Sequence, residues 1–207
     1  AGSVWMNGEV LRPGPAQAHA RVRALLPQEA TVAFDYRVHE LVALGRHPHR
    51  SQPCADEAAV LQAAMQATGV VHLAERSIQS LSGGERARVH LARVLAQIWH
   101  PLAAPGQSAR WLLLDEPTAA LDLGHQHEVL RLLRAWAHLQ GVGVVAVLHD
   151  LNLALRYADW ALVLQAGHLQ AQGRPQDVLN VSHVNQVWQV QAQAVRDASG
   201  VAQLLTA

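Results

Sequence analysis

The chain has 207 residues, of which half are apolar and only 15% are charged, and its formal net charge is zero. This length suits one ordinary domain, and the balanced charge argues against a nucleic-acid-binding surface. The longest apolar runs reach about seven residues, whereas a membrane span needs about twenty. The start of the chain lacks the features of a signal peptide. The lone Cys54 excludes an internal disulfide and suits a reducing compartment.

Short strands open the chain and helices follow. The run SVWMNGEVL (residues 3–11) alternates around an Asn-Gly pair, which predicts a β-hairpin. A further short strand is expected to end at Gln28. Apolar residues spaced three and four apart then predict helices over residues 38–46 and 55–70. This order indicates a helical lobe inserted at about residues 34–108.

The stretch LSGGERARVH, residues 81–90, begins a third helix. Ser82 and Glu85 have the spacing of a capping box, in which the serine hydroxyl accepts from the third backbone N–H and the glutamate reaches back to the cap. Gly83 and Gly84 leave bare N–H groups at the helix N-terminus, where the helix dipole favours an anion. We therefore expect a phosphate-binding turn at this position.

The second half of the chain alternates strands and helices. WLLLDEP (111–117) and VGVVAVLHD (142–150) are continuous apolar runs, each followed by a helical pattern. Apolar strands without alternation, separated by helices, predict a parallel sheet covered on both faces. Residues 160–173 alternate around an Ala-Gly turn, which predicts an edge hairpin. The alternating residues within the tail, 182–207, predict a terminal strand.

Polar residues end the predicted strands at one edge of this sheet. Asp115 and Glu116 close one strand, and His149 closes the next. Ligands bind at this carboxyl edge in open α/β sheets. One carboxylate could hold a hard cation such as magnesium through water, and the other could orient or deprotonate an attacking water. Solvated carboxylates and a satisfied histidine are the alternative, and these residues alone leave both interpretations open.

Three motifs in this order resemble the ATP-binding subunits of ABC transporters: LSGGERARV, WLLLDEPTAALD and VLHDLNLA. The resemblance runs from about Val4 to at least Val178. It implies an α/β fold of the P-loop NTPase type, a parallel sheet core with an inserted helical subdomain and an edge β-hairpin. Residues 1–33 and 109–207 would form the catalytic core lobe, and residues 34–108 the helical signature subdomain.

The resemblance also implies a role for each candidate site residue. The implied cofactors are ATP and Mg²⁺, with Asp115 and Gln28 close to the metal through water. The matched positions are Gln28 in the Q-loop, Ser82, Gly83, Gly84 and Glu85 in the signature, Asp115 as the Walker B aspartate, Glu116 as the catalytic base, Asp122 in the D-loop and His149 as the switch histidine.

Further segments narrow the resemblance to importers of iron chelates, haem and cobalamin. VHELVALGRHPH points to that group, and LDLGHQHEVLRLLR with WMNG is most similar to bacterial haemin-import ATPases. The implied activity is ATP hydrolysis coupled to haem import, with ferric siderophore or cobalamin as the alternative cargo. The implied partners are a second ATP-binding subunit, transmembrane permease subunits and, indirectly, a periplasmic haem-binding protein. The subunit would lie on the cytoplasmic face of the inner membrane.

The phosphate loop of the family, G-x-x-x-x-G-K-[ST], does not occur in these 207 residues, which contain no lysine. The chain also starts at Ala1, so we expect a truncation before the strand at Val4 that removes the first strands and the Walker A motif. We expect such a chain to expose apolar sheet surface and to bind no nucleotide of its own. The alternatives are a non-catalytic fragment that docks on a permease or an intact ATPase subunit, and a decayed gene product.

Two histidine pairs invite a metal-site interpretation. His125 and His127 lie two apart on a predicted helix and do not share a face, while His47 and His49 flank a proline in a predicted loop. We attribute these pairs to composition, because the chain contains thirteen histidines.

Overall fold

The computed structural model describes residues 2–11, 16–30, 32–99, 109–198 and 200–206. The chain divides into two compact units, Ala1–Val147 and Leu148–Ala207. Among the described residues, no helix combines the length and the apolar character that a membrane crossing requires.

A hairpin opens the first unit. Strands β1 (Trp5–Met6) and β2 (Glu9–Val10) pair antiparallel across the turn residues Asn7 and Gly8. Both turn residues have positive φ, 54° and 81°, as the predicted two-residue turn requires. The side-chain oxygen of Asn7 also accepts a hydrogen bond from Trp111 Nε1 at 3.0 Å. The predicted hairpin is thus confirmed, and its turn is joined to the central sheet.

Three parallel strands form the centre of the first unit. They are β3 (Arg23–Leu26), β4 (Arg110–Asp115) and β5 (Val142–Val147), in the order β3-β4-β5. The register places Leu26 beside Leu114, and Asp115 beside the last residue of β5. All three strands therefore end at the same edge, which confirms the parallel arrangement expected from the continuous apolar runs.

The two faces of this sheet differ in burial. One face is buried beneath α1 (Ala16–Val22) and α4 (Gly83–Ile98), and its buried residues are Ala24, Leu26, Leu112 and Leu114. On the other face Leu25 and Val145 are 57% and 48% exposed. The predicted cover on both faces is therefore wrong for this second face, whereas the expected exposure of apolar sheet surface is confirmed.

Helices form the rest of the first unit. Helix α2 (Val38–Leu44), α3 (Glu57–Ala67) and the long α4 pack on one another. The apolar spacing that predicted them is explained by a shared core, whose fully buried side chains include Leu41, Val89 and Leu95. Helix α5 (Leu123–Gln140) follows β4 and packs on β5.

The second unit has its own apolar core, which includes Val163, Val184 and Leu204. It contains, in chain order, α6 (Leu151–Tyr157), β6 (Ala161–Gln165), β7 (His168–Gly173), α7 (Pro175–Val178), α8 (Val181–Trp188), β8 (Ala192–Arg196) and β9 (Ala202–Thr206).

Two predictions for this unit are changed by the structure. The hairpin over 160–173 is confirmed as β6 and β7, but in the described residues it forms a two-stranded sheet of its own and not an edge of the parallel sheet. The tail forms a helix followed by a β8–β9 hairpin. The predicted terminal strand is therefore right only from Ala192 onward, because the apolar residues before it fit a helix whose one side reaches the core.

Candidate functional site

Two candidate residues lie at the carboxyl edge of the parallel sheet. Asp115 is the last residue of β4, and Gln28 lies two residues beyond the end of β3, the neighbouring strand. Both residues are exposed. The sequence predicted this edge for Asp115, whereas Gln28 was expected near the metal from the family resemblance alone. The parallel register of β3 and β4 places both residues at the same end of the sheet.

Glu116 follows directly and has an unusual backbone. Its φ is 49°, in the left-handed region that residues with a side chain rarely adopt. Its carbonyl accepts a hydrogen bond from Ala119 N at 3.2 Å, and Pro117 next to it is buried. Strained residues of this kind cluster at functional sites, where the surrounding structure holds them in place.

The segment Ser82–Glu85, named the signature turn from this point, has the predicted capping box. Ser82 Oγ accepts from Glu85 N at 3.3 Å, and Glu85 Oε2 accepts from Ser82 N at 2.9 Å. The serine hydroxyl also donates to the same carboxylate oxygen at 2.9 Å. These bonds from the Ser82 N–H and hydroxyl, with smaller effects from Arg76 and Arg88, lower the pKa of Glu85.

Residues 116–122, named the carboxylate loop, end in a second helix cap. Asp122 is the N-cap of α5, and its Oδ1 accepts from His125 N at 2.9 Å while its Oδ2 lies 2.8 Å from His125 Nδ1. These two bonds lower the pKa of Asp122, and electrostatic interactions with His125 and Arg88 add to the effect. From α5, Gln126 Nε2 donates to two carbonyl oxygens of the loop, Thr118 O and Leu121 O.

The signature turn and the carboxylate loop touch each other. A Cβ atom added to Gly84 would lie 3.2 Å from Ala120 O and 3.7 Å from Leu121 Cδ2. The loop backbone approaches the helix so closely here that a side chain at this position would require the loop to shift by a few tenths of an ångström. Two segments more than thirty residues apart, each predicted separately to face a nucleotide, are therefore packed together in one unit. The sequence carried no signal for this contact.

Side chains from other elements cap the C-terminal end of α4, the helix that carries the signature turn. Arg46 donates through Nη1 to Ala96 O at 2.8 Å and Trp99 O at 3.1 Å, and Arg110 donates to Ile98 O at 2.9 Å. The last carbonyls of a helix lack partners within it and favour positive charge. The whole helix is thereby anchored at the end opposite the turn.

Arg46 is itself held by a carboxylate. Its Nε and Nη2 donate to the two oxygens of Glu57 at 2.6 and 2.9 Å. The bond to Arg46 outweighs partial burial and lowers the pKa of Glu57 to about 2. This pair was not predictable from the sequence, because a basic residue at the end of one helix and an acidic residue at the start of another are too common to signal a contact.

His149 belongs to the second unit. It is exposed and directly precedes Asp150, the N-cap of α6, whose Oδ1 accepts from Asn152 N at 2.7 Å and Leu153 N at 3.1 Å. Its expected position beside Glu116 stays a prediction.

One histidine of each pair bonds to a neighbouring residue through its ring. His49 Nε2 lies 2.7 Å from Gln97 O, and His125 bonds to Asp122. In the part of the chain that the structure describes, there is no cluster of three or more histidine, cysteine or acidic residues that could hold a metal ion.

The sequence of this chain is similar to those of known proteins. The ABC transporter family profile matches residues 1–119. The hemin import ATP-binding protein of Gloeobacter violaceus is 54% identical over 179 residues, which cover 86% of this chain and 64% of that protein. The protein of the same name from Plesiomonas shigelloides is 43% identical over 203 residues, covering 94% of this chain and 77% of that protein.

Solved structures show the same fold. A metal-chelate type ABC transporter in an inward-facing conformation aligns with a TM-score of 0.74 at 27% identity, covering 90% of this chain and 73% of that one. A dimeric bacterial ABC transporter cassette aligns with a TM-score of 0.71 at 22% identity, covering 85% and 74%. The chain spans 64% to 77% of the length of the hemin import relatives named above.

Proposed function

This chain belongs to the ABC transporter family, and from that membership we propose that it is the ATP-hydrolysing subunit of a haem importer. The observation that carries the proposal is the carboxyl edge of the parallel sheet, where Asp115 ends β4, Gln28 follows β3 and Glu116 has a left-handed backbone. Ligands bind at this edge in open α/β sheets. The relatives named as hemin import proteins support haem as the cargo, with ferric siderophore and cobalamin as the alternatives.

The reaction is hydrolysis of ATP to ADP and phosphate by in-line attack of a water molecule. We assign Glu116 as the residue that orients this water and accepts its proton. The left-handed backbone at Glu116, directly after the end of β4, supports this role, since strained residues of this kind cluster at functional sites. His149 would contact the γ-phosphate, and Asp122 would position the loop through its cap on α5.

The residues at the sheet edge fit magnesium. A carboxylate from Asp115 and an amide oxygen from Gln28 belong to the class of hard oxygen ligands that this ion takes, usually with several waters retained. When bound, the ion would neutralise charge on the phosphate oxygens. The two residues are exposed on one edge and free of the steric cover that would exclude a hydrated ion.

The signature turn would act on ATP held by a second ATP-binding subunit. The capping box holds the turn in place, and Gly83 and Gly84 supply backbone N–H groups at its helix N-terminus. Preorganised donors of this kind stabilise charge that develops in the transition state, and loss of one typically costs about 3 kcal/mol. The helical residues 34–108 would bind the transmembrane permease on the cytoplasmic side, and haem would reach the permease from a periplasmic binding protein.

A chimera tests this proposal. The matched part of the Gloeobacter violaceus protein is replaced by this chain, and ATP hydrolysis and growth on haemin are measured in a strain that lacks its own hemin import ATP-binding protein. We expect activity, and we expect Glu116→Gln to abolish hydrolysis while ATP binding remains. Glu128→Gln, the same change at an exposed position on α5, should leave hydrolysis unchanged.

The outcomes separate the parts of the proposal. Hydrolysis without growth on haemin, but with uptake of a ferric siderophore or cobalamin, would correct the cargo only. A folded chimera that binds no ATP, or one in which Glu116→Gln hydrolyses ATP at the unmodified rate, would overturn the proposed activity.

A further inference from the structure

We propose that the β8–β9 hairpin of the second unit positions His149 for hydrolysis, and that Asn152 is the positioning residue that connects them. Asn152 lies on α6, three residues after His149, and its side chain bonds to the backbone of β9. The inference deepens the function proposed above, on which it rests for the view that His149 contacts the γ-phosphate.

The backbone of Asn152 is bonded to the helix cap beside His149. Asp150, the N-cap of α6, directly follows His149 in the chain, and its Oδ1 accepts from Asn152 N at 2.7 Å. Leu153 N donates to the same oxygen at 3.1 Å. The backbone next to His149 is therefore fixed to the first turn of α6, so a shift of this turn moves His149 with it.

The side chain of Asn152 binds β9 through both ends of its amide. Its Oδ1 accepts from Leu204 N at 2.7 Å, and its Nδ2 donates to Leu204 O at 3.1 Å. An asparagine amide carries a donor and an acceptor of the same kind as a peptide group, so it pairs with Leu204 as a residue of a neighbouring strand would. Two bonds to one residue fix both the distance and the register of α6 on β9, which a single bond would not do.

A second link joins the other end of α6 to the same hairpin. Arg156 donates to Asp197 Oδ2, a carboxylate at the turn between β8 and β9. Asp197 is itself held in this turn, because its Oδ1 accepts from Val201 N at 3.0 Å and its own N–H donates to Val201 O at 3.0 Å. Both ends of α6 are thus attached to one hairpin.

Helix α6 depends on these bonds for its position. It has seven residues, and helices shorter than about twelve residues are marginal in water without tertiary contacts. Its apolar residues Leu151, Ala154 and Leu155 pack against the core of the second unit. Apolar burial is non-directional, whereas hydrogen bonds require a defined distance and angle. The bonds of Asn152 therefore set where the helix lies on the hairpin, and with it where His149 lies.

Hydrolysis by the chimera described above tests the positioning role. Asn152→Ala removes both bonds to β9, and Asn185→Ala is the matched control. Asn185 lies on α8, and its Oδ1 accepts from Ala192 N at 2.7 Å, so it anchors the same hairpin to a different helix. Because misplacement of a reacting group lowers the chemical step, we expect Asn152→Ala to lower kcat about tenfold or more with little change in the KM for ATP. Asn185→Ala should keep kcat within about twofold.

The imidazole NMR signals of the 207-residue chain provide a readout that needs no nucleotide. Asn152→Ala should shift the signal of His149, identified by its absence in His149→Gln, and leave the signal of His183 in place. Asn185→Ala should do the reverse, since α8 carries both Asn185 and His183. A general loosening of the second unit would instead move both signals in both variants, and would contradict the proposal.

The positioning role is wrong if Asn152→Ala keeps the kcat of the unmodified chimera, or if Asn185→Ala loses as much. It is also wrong if the signal of His149 stays in place. Should Asn152→Ala fail to fold, Asn152→Gln replaces it. This variant keeps the amide but adds one methylene, so the two bonds cannot both keep their geometry, and the same outcomes apply.

Failure of the proposed function would look different. An unmodified chimera without hydrolysis, or one whose hydrolysis survives His149→Gln, would refute the activity or the role assigned to His149. The NMR signals alone would then decide whether the β8–β9 hairpin positions this residue through Asn152.

Discussion

The buried His90 predicts how the stability of this protein depends on pH. It lies in the middle of α4, is 3% exposed, and neither ring nitrogen has a hydrogen-bond partner in the described part of the chain. Burial, with smaller effects from the charges of Arg93 and Arg86, lowers the pKa of His90 to about 4. The imidazole is therefore neutral in the folded protein under conditions in which it would be half protonated in the unfolded chain.

The size of the effect follows from the two pKa values. Between the ordinary value of 6.5 and about 4, the unfolded chain binds a proton at this residue that the folded chain does not. The free energy of unfolding is not reduced by His90 above pH 6.5, and it falls by about 1.4 kcal/mol for each pH unit below that value. The loss from His90 sums to about 3 kcal/mol near pH 4, below which both states are protonated and no further loss arises.

His90→Leu should remove this loss. Leucine has a similar volume and no polar atoms, so the variant also avoids the cost of a buried donor and acceptor without partners. That cost is about 1–3 kcal/mol per group, and we expect the variant to be about 1–2 kcal/mol more stable at pH 7 and to show a flatter profile at lower pH.

Urea unfolding followed by the fluorescence of the six tryptophans measures the free energy of unfolding between pH 7 and about 4.5, above the range in which Glu57 titrates. His72→Leu is the control, because His72 is exposed and should leave the slope unchanged. The role of His90 is contradicted if the free energy of unfolding of His90→Leu depends on pH with the same slope as that of the unmodified chain. It is equally refuted if the variant is less stable at pH 7, since the ring nitrogens would then have partners in the folded protein.

Two further predictions concern the helices that support the signature turn. Glu57→Gln removes the charge that Arg46 pairs with, so the variant should lose about 2 kcal/mol at pH 7, a value reduced for partial exposure. In the unmodified chain the lowered pKa of Glu57 predicts that the free energy of unfolding falls between pH 4.5 and about 2, and this fall should be absent in the variant. Acid unfolding curves of the variant that still show the fall would contradict the prediction. Gly45→Ala places a Cβ 2.2 Å from Arg93 O, a backbone atom that cannot easily move aside. The free energy of unfolding, measured by thermal and urea unfolding, should therefore fall by about 3 kcal/mol or more. The same change at Gly124, where the nearest atom is at 3.5 Å, should be neutral or stabilising, and equal costs at both positions would contradict the packing argument.

Features encoded within a few residues were predictable. The capping box at Ser82 and Glu85 depends on groups three positions apart, and the turn at Asn7 and Gly8 depends on two residues that accept positive φ. The parallel strands were visible because burial demands continuous apolar runs, and Asp115 came with them as the residue that ends such a run.

Contacts between distant segments were not predictable from the sequence. Nothing in the residues around Gly84 indicates that Ala120 packs on it, and nothing around Arg46 indicates that it caps a helix fifty residues later. His90 has the spacing of any other residue on α4, and only the packing of the neighbouring helices buries it with no hydrogen-bond partner for its ring among the described residues.

The sequence by itself determined most helices and strands to within a few residues, the position of Asp115 at the carboxyl edge of the sheet, and the family that the motifs resemble. Those properties depend on backbone geometry and on the period of the apolar residues, which are local. The tertiary structure decided that the signature turn touches the carboxylate loop and that one sheet face is exposed. These depend on which surfaces meet when the chain compacts, and no local pattern of residues encodes that choice.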